Sequence, residues 1–342
     1  MNDSQISKAL AGDHLTGPWR TIYLFCPAGL RTGGPEAIHQ LAGELVAQGH
    51  DARIAYVNDE ACRAILGYPG DMMVSNRFSF GEIIGKTPEA YAVYGARDTL
   101  EIVDDPLNLL IIPEALPFLY RLGTRMRKAM WWLSVDNAMH LLNLLGGMER
   151  VKRLPLLHFS QSAYADAFLR ENGVEESLRL SDYTRPEFLE PLPADGVRED
   201  RVLFNPKKGA EAVRRLMALA PDLQWTPIQN MTPEEVRDLL RRSKLYIDFG
   251  EHPGKDRIPR EAAISGCVVV SGRRGSAGFF RDLPIPAAYK FGEGEEDAQA
   301  VIDRIRNCLA DFPAHAAAFD YYRRCIRLER ETFQLEVRRA FG

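Results

Sequence analysis

The chain has 342 residues, 46% hydrophobic and 26% charged, a composition that is typical of folded globular proteins and excludes extensive disorder. Residues 1–200 contain 19 basic and 27 acidic side chains, a net charge of −8, whereas residues 201–342 contain 24 and 20, a net charge of +4. A mildly basic second half suits a small anionic ligand, and it lacks the concentrated basic stripe that would predict a nucleic-acid partner.

The chain opens with a polar leader over residues 1–20, and an alternation of strands and helices follows up to about residue 190. "TIYLFCPAG" is an apolar run of strand length, "PEAIHQLAGELVAQGH" has apolar residues at helical spacing, and "ARIAYVN" predicts a second strand. The runs "NLLIIPEA", "KAMWWLSV" and "PLLHFSQS" continue the pattern. Strands that are apolar throughout are typical of parallel sheets covered on both faces. Residues 21–190 are therefore predicted to form a Rossmann-like domain.

A second α/β series follows a predicted linker. Three prolines and a charge run interrupt the pattern between residues 185 and 200, which places a second domain over residues 191–312. Its strands are predicted at "RVLFNP", "LQWTPIQ", "KLYIDFG" and "CVVVSG", with helices between them. Thr232, Pro233 and Glu235 have the spacing of a capping box at the start of one of these helices. The architecture predicted is α/β, with two successive doubly wound units.

Residues 313–342 are predicted to be helical, with an apolar stripe that packs on the domains. Their mixture of aromatic residues and arginines leaves contact with a membrane surface or another protein as the alternative.

The cysteines and the apolar runs indicate the compartment. The five cysteines are widely spaced, with no Cys-x-x-Cys pair and no cluster of metal-ligand spacing, which predicts reduced thiols. The start lacks the apolar core of a signal peptide, and no run approaches the roughly 18 residues of a membrane span. We expect a cytoplasmic protein, in contact with a membrane at its surface at most.

Two segments of the first domain follow the carboxyl ends of strands, which is where doubly wound sheets bind ligands. In "CPAGLRTGGPEA", Gly33 and Gly34 precede a helix, where they let the backbone approach a ligand closely. A tight turn that requires glycine for its shape alone is the alternative. In "WWLSVDNAMH", Asp136 and Asn137 end a strand and would project into a cleft. Capping of the next helix explains Asp136 equally well.

The second domain places several cations beside helix starts. Lys208 follows the first strand in "FNPKKGAEA", where an ammonium can meet a phosphate, although a solvated turn is the alternative. In "HPGKDRIPRE", Pro259 is predicted to open a helix. Lys255, Arg257 and Arg260 would then add charge-assisted hydrogen bonds to phosphate oxygens held by its free amides.

Glu261 is predicted to lie in the first turn of the same helix. A carboxylate there stabilises a helix by up to about 1 kcal/mol through the helix dipole, which would explain Glu261 without a function. Beside a diphosphate it would instead accept hydrogen bonds from ribose hydroxyls. The combined composition favours a nucleoside diphosphate.

Three stretches of the sequence resemble those of a known family. "PREAAISGCVVVSG" resembles the donor-site signature of retaining glycosyltransferases with the GT-B fold, and glycosyltransferase family 4 is the closest match. "TGGPEAIHQLAGELVAQGHDARI" resembles the first βαβ unit of that family, and "NPKKG" resembles the turn that opens its donor domain. The resemblance implies two Rossmann-like domains facing a cleft, with the terminal helices crossing back to the first domain.

The resemblance also implies roles for individual residues. Glu261 would bind the nucleotide ribose, and Lys208 with one or more of Lys255, Arg257 and Arg260 would hold the diphosphate. Gly33 and Gly34 would approach donor or acceptor in the cleft. The remaining assignments that it supports are Asn137 and His252 as cleft residues and Asp136 and Glu261 as candidate catalytic residues.

The sequence departs from the family pattern at three places. His252, Lys255 and Asp256 replace a stretch that is usually apolar and rich in glycine. Pro253 stands eight positions before Glu261, where the family usually has a second glutamate, and "SVDN" with Asp136 stands where the family often presents a histidine. No Asp-x-Asp occurs, so cations and a helix dipole would neutralise the leaving diphosphate. We expect no metal and no cofactor besides the nucleotide-sugar co-substrate.

The function expected is transfer of a sugar from a nucleoside-diphosphate sugar to a glycan or lipid-linked acceptor, as in cell-surface polysaccharide synthesis. By resemblance, the enzyme would be retaining and independent of metal. Two alternatives are a nucleotide-sugar epimerase of similar fold and a non-catalytic scaffold that binds nucleotide sugars. The absent second glutamate is the feature that keeps the scaffold open.

Overall fold

The computed structural model describes residues 19–80, 88–192 and 197–342. Most of the polar leader, residues 1–18, and part of the predicted linker, residues 193–196, lie outside these ranges. The chain divides into two compact units. The first contains the residues up to Gln161, Ala165–Asp182 and Glu331–Gly342, and the second contains Ser162–Tyr164 and Tyr183–Arg330.

A parallel sheet lies at the centre of the first unit. Among the described residues it has seven strands, which we number in chain order. Side by side they are β4 (Arg97–Asp98), β2 (Ala52–Val57), β1 (Thr21–Pro27), β6 (Asn108–Pro113), β7 (Arg127–Trp132), β8 (Leu156–Ser160) and β9 (Leu178–Arg179). A separate antiparallel pair consists of β3 (Arg77–Ser79) and β5 (Glu101–Val103).

The strand order of the first unit is that of a doubly wound fold. The chain runs outward from β1 through β2 to β4 and then returns to the other side of β1 with β6 and the strands that follow. Ile22 of β1 pairs with both Ala52 of β2 and Leu109 of β6. The reversal between β1 and β6 is a topological switch point, where such sheets bind ligands beyond the strand ends.

The helices of the first unit follow the predicted alternation. Within the described ranges they are α1 (Gly33–Ala47), α2 (Asp59–Leu66), α3 (Val135–Leu144), α4 (Gly147–Val151) and α5 (Ala163–Glu171), of which Ala163 and Tyr164 belong to the second unit. In α1, Ile38, Leu41 and Leu45 are buried, at the three- and four-residue spacing that the sequence predicted.

The second unit has its own parallel sheet. Its described strands lie in the order β11 (Gln224–Pro227), β10 (Glu199–Phe204), β12 (Ser243–Asp248) and β13 (Val268–Ser271). The switch point of this sheet lies between β10 and β12. The described helices of the second unit are α6 (Ala210–Leu219), α7 (Pro233–Arg242), α8 (Arg257–Ile264), α9 (Glu295–Ala310), α10 (Phe312–Ala317) and α11 (Asp320–Arg327).

The predicted capping box is confirmed at the start of α7. The Thr232 hydroxyl accepts a hydrogen bond from the Glu235 amide at 3.2 Å, and the Glu235 carboxylate accepts one from the Thr232 amide at 2.7 Å. Pro233 is the first residue of the helix, where its missing N–H costs nothing.

The last helix, α12 (Glu329–Phe341), starts in the second unit and belongs to the first unit from Glu331 onward. The terminal apolar stripe packs on the protein, as predicted. Tyr322 and Ile326 of α11 are part of the core of the second unit, and Phe333 and Val337 of α12 are buried.

The five cysteines are unpaired in the structure, and Cys26, Cys267 and Cys308 are buried. No helix in the part of the chain that the structure describes has both the length and the apolar character needed to cross a membrane.

Candidate functional site

The predicted residues of the first unit lie at the carboxyl edge of its sheet. Gly33 and Gly34 are the first two residues of α1, which follows β1. Asp136 and Asn137 are in the first turn of α3, which follows β7, and Asn137 donates a hydrogen bond to the Ser134 hydroxyl at 2.6 Å. A Cβ atom added at Gly34 would lie 3.9 Å from the Leu133 side chain, so the segments that follow β1 and β7 approach each other above β6.

Glu114 lies between these two segments, at the end of β6, and the sequence analysis missed it. Only 2% of its surface is exposed, and its Oε2 accepts a hydrogen bond from the Leu133 amide at 2.8 Å. Burial raises the pKa of Glu114 to about 7, against smaller lowering effects of backbone hydrogen bonds. Glu114 therefore titrates near neutral pH, which is unusual for a carboxyl group. Its signal in the sequence was a polar residue directly after the apolar strand "NLLIIPEA".

We expect Glu114→Gln to change the pH dependence of stability. Because the folded-state pKa is raised, the stability contributed by the neutral carboxyl is present below pH 4.5 and is lost as the pH rises to about 7. Glutamine is neutral throughout. The variant should therefore gain about 2 to 3 kcal/mol of unfolding free energy relative to wild type between pH 5 and pH 8, measured by urea denaturation at both values.

A carboxylate with the opposite shift provides the control. Asp104 accepts hydrogen bonds from the Thr124 and Met126 amides at 2.8 and 2.9 Å. Burial alone would raise its pKa, but these amides and that of Arg125 lower it. Asp104→Asn should therefore lose stability at neutral pH, and the loss should shrink only as the pH falls through the folded-state pKa. A constant difference between Glu114→Gln and wild type over this range would contradict the Glu114 assignment.

His158, near another strand end, is structural. Its Nδ1 accepts a hydrogen bond from the Trp132 indole at 3.0 Å, and burial lowers the pKa of His158 to about 4. The imidazole is therefore neutral at physiological pH.

In the second unit, the loops that follow β10 and β12 meet at the switch point. Gly209 approaches the next loop so closely that a Cβ atom there would lie 1.5 Å from the Phe249 carbonyl oxygen. Lys208, one residue earlier, contacts the Asp256 carboxylate, and Asp256 is the N-cap residue of α8. The ammonium of Lys208 therefore lies at the N-terminus of α8, where the sequence analysis predicted a phosphate site.

The helix α8 begins two residues earlier than predicted. Arg257, rather than Pro259, is its first residue, because Asp256 has the extended backbone of an N-cap and proline is tolerated throughout the first turn. Glu261 is consequently the fifth residue and half-buried. This corrects the prediction that Glu261 lies in the first turn, and it weakens the helix-dipole explanation for this carboxylate, since the effect falls off beyond that turn. Gly266 follows the C-cap residue Ser265 and has a φ of +97°, a left-handed backbone that favours glycine.

A buried polar network supports the start of α8. The Nδ1 atom of His252 lies 2.9 Å from Asp256 Oδ2, and its Nε2 atom lies 3.6 Å from Asp248 Oδ1. Burial lowers the pKa of His252, but the hydrogen bond to Asp256 and the two carboxylate charges outweigh burial and raise it. Burial would raise the pKa of Asp256, but His252 and Lys208 lower it. Protonation of His252 and ionisation of Asp256 therefore favour each other.

Two of the predicted diphosphate ligands make internal contacts instead. Arg260 is fully buried and donates to the carbonyl oxygens of Lys255 at 2.9 Å and Asp256 at 3.1 Å. Its Nη1 atom also donates to Glu329 at 3.1 Å, and the Lys255 ammonium donates to the same carboxylate at 2.8 Å. Arg257 is half-buried at the first position of α8. Arg260 supports the loop before α8. Its partner Glu329 lies 69 residues away in the sequence, and no local pattern indicates the pair.

One set of described side chains is compact enough to hold a metal ion, namely Asp248, His252 and Asp256. However, Asp256 already interacts with the His252 imidazole and the Lys208 ammonium, and a divalent cation would have to lie beside that positive charge. An ion-pair network accounts for the three residues.

Comparison with known proteins identifies the fold. No protein-family model matches the sequence, and no curated protein matches it significantly. Several solved structures are similar. HepE from Anabaena, determined in complex with UDP-glucose, is 11% identical, covers 93% of this chain and 98% of its own, and has a TM-score of 0.63.

Two further structures are similar to this chain to the same extent. Sucrose-phosphate synthase from Thermosynechococcus elongatus is 14% identical, with 93% of this chain and 97% of its own covered and a TM-score of 0.62. TarM from S. aureus, determined with UDP, is 10% identical, with 94% and 100% covered and a TM-score of 0.62. These similarities extend over nearly the whole chain and identify its fold. The chain therefore has the GT-B fold, which confirms the predicted class of two Rossmann-like domains.

Proposed function

We propose that the protein is a glycosyltransferase that transfers a sugar from a nucleoside-diphosphate sugar to a glycan or lipid-linked acceptor. The observation that carries this proposal is the convergence of Lys208 with the N-terminus of α8 at the switch point of the second sheet. An ammonium beside a helix N-terminus suits a diphosphate. The GT-B fold, which HepE and TarM share in complexes with UDP-glucose and UDP, supports the same class of donor.

The donor diphosphate would replace Asp256 as the partner of Lys208. His252 supports this exchange, because its imidazole remains 2.9 Å from the Asp256 carboxylate when the ammonium turns to phosphate. Arg257 opens α8 and would add a second charge to the same anion. Lys255 and Arg260 are assigned to support of the loop rather than to direct contact.

Glu261 would accept hydrogen bonds from the ribose hydroxyls. It is half-buried and beyond the first turn of α8, so the helix dipole gives little reason for a carboxylate at this position. In the first unit, Asp136 and Asn137 are assigned to the acceptor side, together with Gly33 and Gly34 at the start of α1.

Departure of the diphosphate would be assisted by Lys208, Arg257 and the amides of α8. Preorganised charges and dipoles of this kind stabilise a leaving group without a metal ion. Retention of configuration and a role in cell-surface polysaccharide synthesis belong to the proposal on the basis of the donor-site signature around Glu261.

The test is incubation with a panel of nucleotide sugars. We expect slow release of the nucleoside diphosphate from a UDP-sugar or GDP-sugar, unchanged by chelator. Glu261→Gln should weaken binding of the released diphosphate by roughly tenfold or more, because a charged hydrogen-bond acceptor is lost. Affinity is measured by calorimetry.

Glu251→Gln is the matched control, since Glu251 lies in the loop that precedes α8, is largely exposed and lies 3.6 Å from Arg274. Its affinity should equal that of wild type. Interconversion of sugars without release of diphosphate would indicate an epimerase, and binding without turnover would indicate a scaffold; either result would refute the transferase proposal.

A further inference from the structure

Glu329 is a buried carboxylate that has no role in the proposed function. It is 7% exposed. Its Oε1 accepts a hydrogen bond from Lys255 at 2.8 Å, and its Oε2 accepts from Arg260 at 3.1 Å. The same Oε2 accepts from the amide and hydroxyl of Thr184 at 2.9 and 2.8 Å. Four donors from three segments of the second unit therefore converge on one side chain.

These contacts connect Glu329 to the backbone that precedes α8. Arg260 donates to Glu329 and also to the carbonyl oxygens of Lys255 and Asp256. The position of the Arg260 guanidinium thus determines the position of the N-cap residue. Since Asp256 in turn contacts Lys208, the chain of contacts runs from Glu329 to the cation that would bind the diphosphate.

We propose that Glu329 is a positioning residue for the donor diphosphate, an inference that rests on the proposed function. It holds the Lys255–Asp256 segment and the first turn of α8 in the geometry that receives the phosphates, without touching them. The nucleoside part of the donor does not depend on this geometry.

Removing the charge of Glu329 should disturb this geometry selectively. Arg260 is fully buried, and its guanidinium cannot reach water without moving the loop that it supports. Glutamine would replace one carboxylate oxygen by an amide N–H₂ group, which cannot accept hydrogen bonds from Lys255, Arg260 or Thr184. The loop should therefore shift toward solvent and take the amides of α8 away from the phosphate position.

The experiment compares Glu329→Gln with wild type in the full chain. Affinities for UDP, GDP, uridine and guanosine are measured by calorimetry. For Glu329→Gln, we expect the affinity for UDP or GDP, whichever binds to wild type, to fall about tenfold or more. The affinity for the nucleoside with the same base should stay unchanged. Glu329→Asp, which keeps the charge, should recover part of the loss.

Glu336→Gln is a matched control on the same helix. Glu336 accepts hydrogen bonds from the amide and hydroxyl of Ser181 at 2.7 and 2.6 Å, the same pair of donors that Thr184 offers to Glu329. Glu336 belongs to the first unit, whereas the loop before α8 belongs to the second. Its variant should bind diphosphates as wild type does.

The outcomes separate the two proposals. If wild type binds neither UDP nor GDP, the proposed function fails and this inference fails with it. If wild type binds and Glu329→Gln matches Glu336→Gln, or loses nucleoside and diphosphate affinity equally, only the assignment of Glu329 is refuted. If Glu329→Gln does not fold, Thr184→Val takes its place, because it removes one donor and leaves both cations in place. Its affinity for the diphosphate should fall by a smaller factor, and its affinity for the nucleoside should not change. An unchanged affinity for the diphosphate would refute the assignment.

Discussion

Replacement of Arg260 by alanine is expected to lower the free energy of unfolding by about 3 to 5 kcal/mol, the cost of breaking a buried ion pair. Arg260 is fully buried and donates to Glu329 and to two backbone carbonyls. In the variant, Lys255 is the cation that still contacts Glu329. The carbonyl oxygens of Lys255 and Asp256 lose the hydrogen bonds that they accept from the guanidinium.

Calorimetric unfolding of the variant and wild type measures this effect. Arg274→Ala serves as the control, because the Arg274 side chain is 58% exposed and solvent therefore weakens its ion pairs with the exposed Glu251 and the less exposed Glu293. Its stability should differ from wild type by less than about 1 kcal/mol. An Arg260→Ala protein of wild-type stability that selectively loses affinity for UDP or GDP would contradict this role and restore direct contact between Arg260 and the diphosphate.

Arg260 also shows where prediction from the sequence ends. The strands could be predicted because a buried parallel strand is an apolar run, as in β12 and β13, and the capping box at Thr232 could be predicted because its partners are three residues apart. The contact between Arg260 and Glu329 joins residues 69 positions apart. Local pattern contains no information about such a pair, so a cation beside a helix start was assigned to a ligand.

Two other differences have local causes. Proline is compatible with every position of the first helical turn, so Pro259 could not determine whether α8 begins there or two residues earlier. Glu114 meets the criterion that selected Asp136, a polar residue directly after an apolar strand, and could have been found. Its raised pKa could not, because burial depends on how the neighbouring strand ends pack.

Gly209→Ala is expected to disrupt the second unit at the proposed donor site. Gly209 has a φ of +55°, which disfavours any side chain, and its added Cβ would lie 1.5 Å from the carbonyl oxygen and 2.3 Å from the carbonyl carbon of Phe249. Both atoms are backbone, so no rotamer change can relieve the overlap. The loops after β10 and β12 would have to separate, moving Lys208 away from the N-terminus of α8. We expect a loss of more than about 4 kcal/mol of stability, a range that only severe steric or buried-charge changes reach.

Gly95→Ala isolates the steric contribution. Gly95 has a similar φ of +64°, but an added Cβ there meets no atom within 4 Å, so the variant has only the cost of the left-handed backbone, about 1 to 2 kcal/mol. Unfolding free energy and UDP or GDP affinity are measured for both variants, and Gly95→Ala should keep the wild-type affinity. Equal losses of stability would mean that the two loops can separate at little cost. The position of Lys208 would then depend on its ion pair with Asp256 rather than on the close approach of the backbone at Gly209.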